Sequence, residues 1–161
     1  MALTGYLKIP DIAGESQRAE HEDEIDIYDI LWNVEQAAGA QAGRGRSKGR
    51  AQISALLMKK AYDASSPYLA LAAMQGKSFD EIVLTVRKDS GDAHLDYLII
   101  TMENAIISQY SIAGAGEDEG QTIMEDLGLS FENVKIKYTV QADDHSAGDE
   151  HEIEYDIAAG V

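Results

Sequence analysis

The sequence predicts a mainly β domain carrying a single α-helix, and three observations make that case. Apolar and polar residues alternate at the two-residue period of a strand through most of the chain. The alternating runs are rich in isoleucine, valine, tyrosine and threonine, which suit a pleated, half-buried surface. Only one segment is bracketed by signals that start and stop a helix. With 161 residues, the chain has the length of one domain, expected to run over residues 1–161, with one core.

Taken in order, Gly5–Ile9 (GYLKI) is a short strand ended by Pro10. Glu24–Gln36 (EIDIYDILWNVEQ) reads as one long strand. Its alternation sets Tyr28, Ile30, Trp32 and Val34 on a core face. Ile25, Ile27, Asp29, Leu31, Asn33 and Glu35 occupy a mixed second face. Ala38–Arg50 (AGAQAGRGRSKGR) holds no apolar side chain larger than alanine, so it cannot bury itself. It gathers Arg44, Arg46, Lys48 and Arg50, and such a cluster contacts something outside its own core.

Gln52–Tyr62 (QISALLMKKAY) places Ile53, Leu56, Leu57 and Ala61 at helical spacing and reads locally as helix. Ser65–Gly76 is the clear helix: Ser66 offers an N-cap hydroxyl, Pro67 suits N1, and Gly76 can take the left-handed cap. Strand-like runs follow over Glu81–Lys88, His94–Ser111 and Leu127–Gln141. The tail His151–Ile157 alternates Ile153, Tyr155 and Ile157 against acids, as an edge strand would.

Charge and composition exclude several classes. Thirteen basic against 29 acidic side chains give a net charge of −16, which repels phosphate and argues against nucleic acid as a partner. No apolar run is long enough to span a membrane, and the N-terminal residues lack a secretory signal pattern. Without cysteine there are no disulfides and no thiolate metal ligands. The acids cluster over Glu15–Glu24, Glu117–Glu119 and Asp143–Asp156, and read as solvated loops.

Gly45–Gly49 fits the pattern G-x-S-x-G, but no strand precedes Ser47 to deliver it to a sharp turn, so a hydrolase is a weak reading. The same stretch lacks the ending of a phosphate-cradling loop. His145 and His151 lie among Asp143, Asp144, Asp149 and Glu150, at spacings that match neither a calcium loop nor a zinc helix. The residues therefore point to no catalytic, cofactor or metal site, and to a protein that is not an enzyme.

Six segments in colinear order carry a resemblance: LKI…GES, EIDIYDILW, KAYDASSPYLALAAMQGK, LTVRK, YLIITMENAIISQYSIAG…GED and LSFENVKIKYTVQ. From about Leu3 to Gln141 the chain resembles the haemolysin-coregulated protein (Hcp) family, the tube subunits of bacterial type VI secretion systems. The resemblance implies a small β-barrel of two packed sheets, with one α-helix on its side and a long extended loop. It also implies that Gln52–Tyr62 is a strand, against its local propensity. Subunits would form hexameric rings that stack into a tube inside a contractile sheath, meeting spike proteins and carrying effectors in the lumen. Assembly would be cytoplasmic, followed by export without a cleaved signal.

Within that frame Arg44, Arg46, Lys48 and Arg50 sit on the loop that reaches a neighbouring subunit. If Trp32 is buried in the barrel, Asp29, Leu31 and Asn33 face the channel. Two other readings remain open: the tube subunit of a phage-like contractile particle, and a monomeric ligand-binding β-barrel.

Overall fold

The computed structural model describes residues 3–36, 51–90, 93–114 and 123–161, and residues 38–39 and 47–48 through their strand pairing alone. Along the chain run β1 (Gly5–Lys8), β2 (Ile25–Ile27), β3 (Asp29–Leu31), β4 (Val34–Glu35), β5 (Ala38–Gly39), β6 (Ser47–Lys48), β7 (Gln52–Ile53) and β8 (Leu56–Ala61). The helix α1 (Ser66–Gln75) follows, then β9 (Ser78–Ser90), β10 (Ala93–Gly114), β11 (Ile123–Ser130), β12 (Asn133–Gln141) and β13 (Ala147–Asp156). The fold is mainly β with one helix, as the sequence predicts.

Nine strands form one antiparallel sheet in the order β2-β1-β9-β10-β11-β8-β3, with β12 on β10 and β13 on β12. Strand β10 is 22 residues long and organises the sheet. It pairs with β9 along one edge, from Ala93 to Ile106. Along the other it meets β12 from Leu98 to Glu103 and β11 from Ile106 to Gly114. The change of partner falls at Asn104, whose φ of 48° is a left-handed conformation that asparagine tolerates better than most residues.

The expected long strand over Glu24–Gln36 is instead three short ones, and its face pattern reverses at Tyr28. Strand β2 pairs with β1, while β3 pairs with β8, so one run of chain meets both ends of the sheet path. The Tyr28 N–H donates to the Lys59 carbonyl (2.9 Å) at the switch. Ile25 and Ile27 are consequently buried, although they were expected opposite the core face, and Ile30 and Trp32 pack against the same core. Tyr28 and Val34, expected inside, are exposed. The run predicted over Leu127–Gln141 is likewise two strands, β11 and β12, separated by Phe131 and Glu132.

Gln52–Tyr62 forms strands rather than helix. On β8, Leu56 and Met58 point into the core, where Leu7, Leu84, Met102 and Leu129 meet them. Burial on both flanking strands outweighs the weak helical preference of this stretch. Helix α1 buries Leu69 and Ala72 and ends at Gly76, whose φ of 61° makes the predicted left-handed cap. Ser66 is not the N-cap; that position is Ser65. The Ser66 hydroxyl turns back instead, accepting from Lys60 Nζ (3.1 Å) and from the Asp63 N–H (2.9 Å).

Lys60 follows Leu56 and Met58 on the inward side of β8 and is fully buried. It stands opposite Glu125 of β11, which is also buried, and the two side chains form an ion pair. Tyr110 of β10 donates to the other carboxylate oxygen of Glu125 (2.6 Å), and Asp63 pairs with Lys60 at 3.1 Å. Burial and then the Glu125 charge raise the Tyr110 pKa, so its phenol stays protonated as the donor. The cluster ties the start of α1 to three strands, β8, β10 and β11. Glu125→Gln leaves the Lys60 ammonium buried without its main counter-charge and is expected to cost about 3–5 kcal/mol in urea denaturation. The double change Lys60→Met with Glu125→Leu is expected to cost less, because the fully buried charges go together and Asp63 keeps its hydrogen bonds from Ser65.

Candidate functional site

The outward face of β3, β8, β11 and the end of β10 is one candidate surface. In β3, Ile30 turns inward, which leaves Asp29 and Leu31 outside; Leu31 is 66% exposed. Register places Lys59 of β8 between Asp29 and Asp126, a row of alternating charge across three strands. The next row sets Leu31 beside Leu57 and then Gly128, with Gln109 beyond it. A Cβ on Gly128 would stand 2.9 Å from Gln109 Cβ, so only glycine lets these strands lie so close here. Between the two rows runs a groove of about 330 Å³ lined by Asp29, Leu31, Leu57, Lys59, Gln109 and Asp126.

Asp29, Leu31 and Asn33 are all exposed, as the alternation of their segment requires. Sequence reasoning missed Leu57, Lys59, Gln109 and Asp126. The alternation of Leu57 and Lys59 with buried neighbours was available in the sequence, but only once Gln52–Tyr62 is read as a strand.

Between β3 and β8 the chain pairs with itself as a hairpin arm. Val34 pairs with Ile53, Glu35 with Gln52, Ala38 with Lys48 and Gly39 with Ser47. Its base is fastened by three hydrogen bonds. Trp32 Nε1 donates to the Ser54 carbonyl, the Asn33 N–H to Ser54 Oγ, and the Ser54 N–H to the Asn33 carbonyl, each at 3.0 Å. Trp32 also leans on Phe131, with ring centroids 6.2 Å apart. Ser47 and Lys48 lie in β6, whereas Arg44, Arg46 and Arg50 fall outside the described residues.

A second polar cluster pins residues 13–24 to the sheet. Buried His21 stacks on Tyr6 at 4.5 Å, with Nδ1 2.8 Å from Glu24 Oε2 and Nε2 2.9 Å from Asp96 Oδ2. Arg87 donates to Asp96 (2.7 Å), to the Ala19 carbonyl (3.1 Å) and to Glu20 (3.2 Å). A Cβ on Gly14 would fall 2.4 Å from the Glu24 carbonyl oxygen, so this loop can fold onto β2 only with glycine there. Both polar clusters satisfy their own charges internally and hold elements together. Among the described residues, no group of three or more His, Asp or Glu side chains is placed to hold a metal ion, and no helix is long and apolar enough to cross a membrane.

The comparisons with known proteins agree with this geometry. The family model described as "Type VI secretion system effector, Hcp" matches residues 6–138. The chain belongs to the Hcp family. It is 33% identical over 144 residues to Protein hcp1 of Pseudomonas aeruginosa, covering 89% of this chain and 88% of that protein. Among solved structures it is similar to Hcp1 from Salmonella typhimurium, with a TM-score of 0.80, 31% identity and coverage of 99% and 97% of the two chains. It is also similar to a type VI secretion system effector from Yersinia pestis, with a TM-score of 0.73, 28% identity and coverage of 94% and 98%. This Hcp chain is thus a secreted, structural type VI secretion protein and not an enzyme.

The geometry of this Hcp chain yields three expected outcomes. Burial works against the Asp96 carboxylate, but hydrogen bonds from Arg87 and His21 outweigh it and hold its pKa below the ordinary 3.8. A depressed carboxyl contributes stability that is present above 3.8 and is lost as pH falls through the lower folded value. Asp96→Asn should therefore lower the melting temperature at about pH 6, and its deficit against wild type should shrink as the pH falls below 3.8. Thermal unfolding across that range checks it. Leu31→Asp should leave the melting temperature almost unchanged, because the side chain is already in water. Trp32→Ala should cost about 2–3 kcal/mol, below the value for a fully buried aromatic.

Proposed function

We propose that this chain is the ring-forming subunit of a type VI secretion inner tube, acting as a single domain over its whole length. Copies associate into a hexameric ring in the cytoplasm, and the rings stack inside a contractile sheath beneath a spike. The assembly is expelled with effector proteins in its lumen. The observation that carries this reading is Hcp membership over residues 6–138, supported by the large antiparallel sheet and its single helix.

In this reading Asp29, Leu31 and Asn33 face the lumen. They lie on the outward side of a segment whose inward residues, Ile30 and Trp32, pack on the core. Beside the Asp29–Lys59–Asp126 charge row, Leu31 and Leu57 give the channel wall an apolar strip. That strip offers passengers a modest grip, compatible with release. Arg44, Arg46, Lys48 and Arg50 contact the next subunit, where a basic arm meets an otherwise acidic surface.

Sedimentation at near-physiological salt should give the hexamer mass; a monomer at micromolar concentration overturns the reading. At about 0.01 M salt the Debye length grows to roughly 30 Å from roughly 8 Å, so repulsion between acidic subunits should dissociate the ring. Changing all four arm cations to Glu should also dissociate it while circular dichroism stays that of the folded monomer. A single change should do little, since an exposed pair is worth about 0–1 kcal/mol.

A further inference from the structure

The wing formed by β12 and β13 has two unlike faces and an open edge. Among the described residues, β13 pairs with β12 alone. On one face the rows Met102–Val134–Tyr155 and Ile100–Ile136–Ile153 run outward from the core. Exposure climbs along the second row from 5% at Ile100 to 58% at Ile153. The opposite face carries charge in columns, one strand at a time. Glu103 of β10 stands opposite Asn133 of β12, one step along the strand from Lys135, while Lys135 and Lys137 stand opposite Glu154 and Glu152 of β13, with Glu150 next in the same column.

The contacts follow those columns. Lys135 lies 3.1 Å from Glu103, Lys137 lies 3.3 Å from Glu150, and Asn133 donates to Glu154 at 3.2 Å. Two lysines stand against three glutamates on β13, so the outermost column is left net acidic. In an antiparallel or parallel sheet the next strand completes such a pattern when its charges are opposite and recur at every second residue.

This chain contains one stretch that fits. Arg44, Arg46, Lys48 and Arg50 recur at the same two-residue period as Glu150, Glu152 and Glu154. The positions between them, Gly45, Ser47 and Gly49, are small enough to let a neighbouring sheet approach. Ser47 and Lys48 already lie in a strand. We infer that the open edge of β13 is the docking surface for the basic arm of a second copy, which adds to it as a further strand. This rests on the ring reading and specifies which surface of the neighbour the arm meets. Acidic edges repel one another, so the same column discourages β13 from pairing with β13 of another copy.

The absence of cysteine makes cross-linking a clean test. A Lys48→Cys protein is mixed with a Glu152→Cys protein under mild oxidation at ring-forming salt, with peptide masses identifying the linked pair. Linkage between positions 48 and 152 of different chains should exceed, by about tenfold or more, that between Lys48→Cys and Tyr68→Cys proteins, the latter carrying its thiol on exposed α1. Rings that form without excess linkage overturn the inference and leave the ring reading standing. Linkage found only within a chain that carries both changes overturns it as well. A charge exchange supplies the second arm. Glu150→Lys, Glu152→Lys and Glu154→Lys together should weaken assembly by roughly 10- to 100-fold, and reversing the four arm cations to Glu in that background should restore it. Failure of the exchange to restore assembly overturns the inference, whereas a wild-type chain that stays monomeric removes the ring reading itself.

Discussion

Strand β10 must satisfy three partners at once, and the arrangement of the rest of the chain follows from that demand. A lone strand pair cannot cover both edges of 22 residues. Strand β9 takes one edge, while β12 and β11 divide the other at Asn104. That division sends β11 and β8 toward the core and sends β12 and β13 outward as a wing. The surfaces available for assembly are therefore set by where β10 changes partner: a grooved face over β3, β8 and β11, and an open edge at β13.

Strand parity then decides which charges serve the fold and which remain for partners. Lys59 and Lys60 are adjacent, yet one lies in an exposed charge row and the other is fully buried against Glu125. The buried pair is costly to desolvate and holds only because Tyr110, Asp63 and Ser66 complete its hydrogen bonds. The exposed row costs little and contributes little to stability, which leaves it free to act in recognition. The same division separates Arg87, committed to Asp96, from the cations of the arm.

Much of the fold was legible because local and global preferences agree. Pro67 and Gly76 bracket the helix on backbone grounds alone, and β9 and β10 announce themselves by alternation. Legibility failed where tertiary structure overrides a local rule. Gln52–Tyr62 has helical spacing but is flanked by strands on both sides. Tyr28 interrupts an unbroken alternation because the chain there leaves β1 for β8, a reversal that no period count reveals. Ser66 looked like a cap, but the buried Lys60 ammonium competes for its hydroxyl. The outward placing of Asp29, Leu31 and Asn33 was legible, since Trp32 fixes the parity of its own turn of strand. Their partners across the groove were not, because they come from strands distant in sequence.

The acidic excess and the basic arm act over different distances, and that difference bears on how such a subunit can assemble and come apart. Repulsion from a net charge of −16 is spread over the whole surface and is felt across a full Debye length. Attraction through an arm is confined to a few contact pairs. Dilute salt lengthens the reach of the repulsion, so the distributed charge dominates there. Concentrated salt screens the contact pairs themselves, and only apolar contacts then remain to hold copies together. Between these limits the Debye length is about 8–10 Å, shorter than the distance between subunit centres but longer than an ion pair. In the proposed ring, contacts at the arm would then operate while most of the bulk repulsion is muted. The proposed ring is therefore expected to associate best near physiological ionic strength and to remain reversible, because neither term is large per contact.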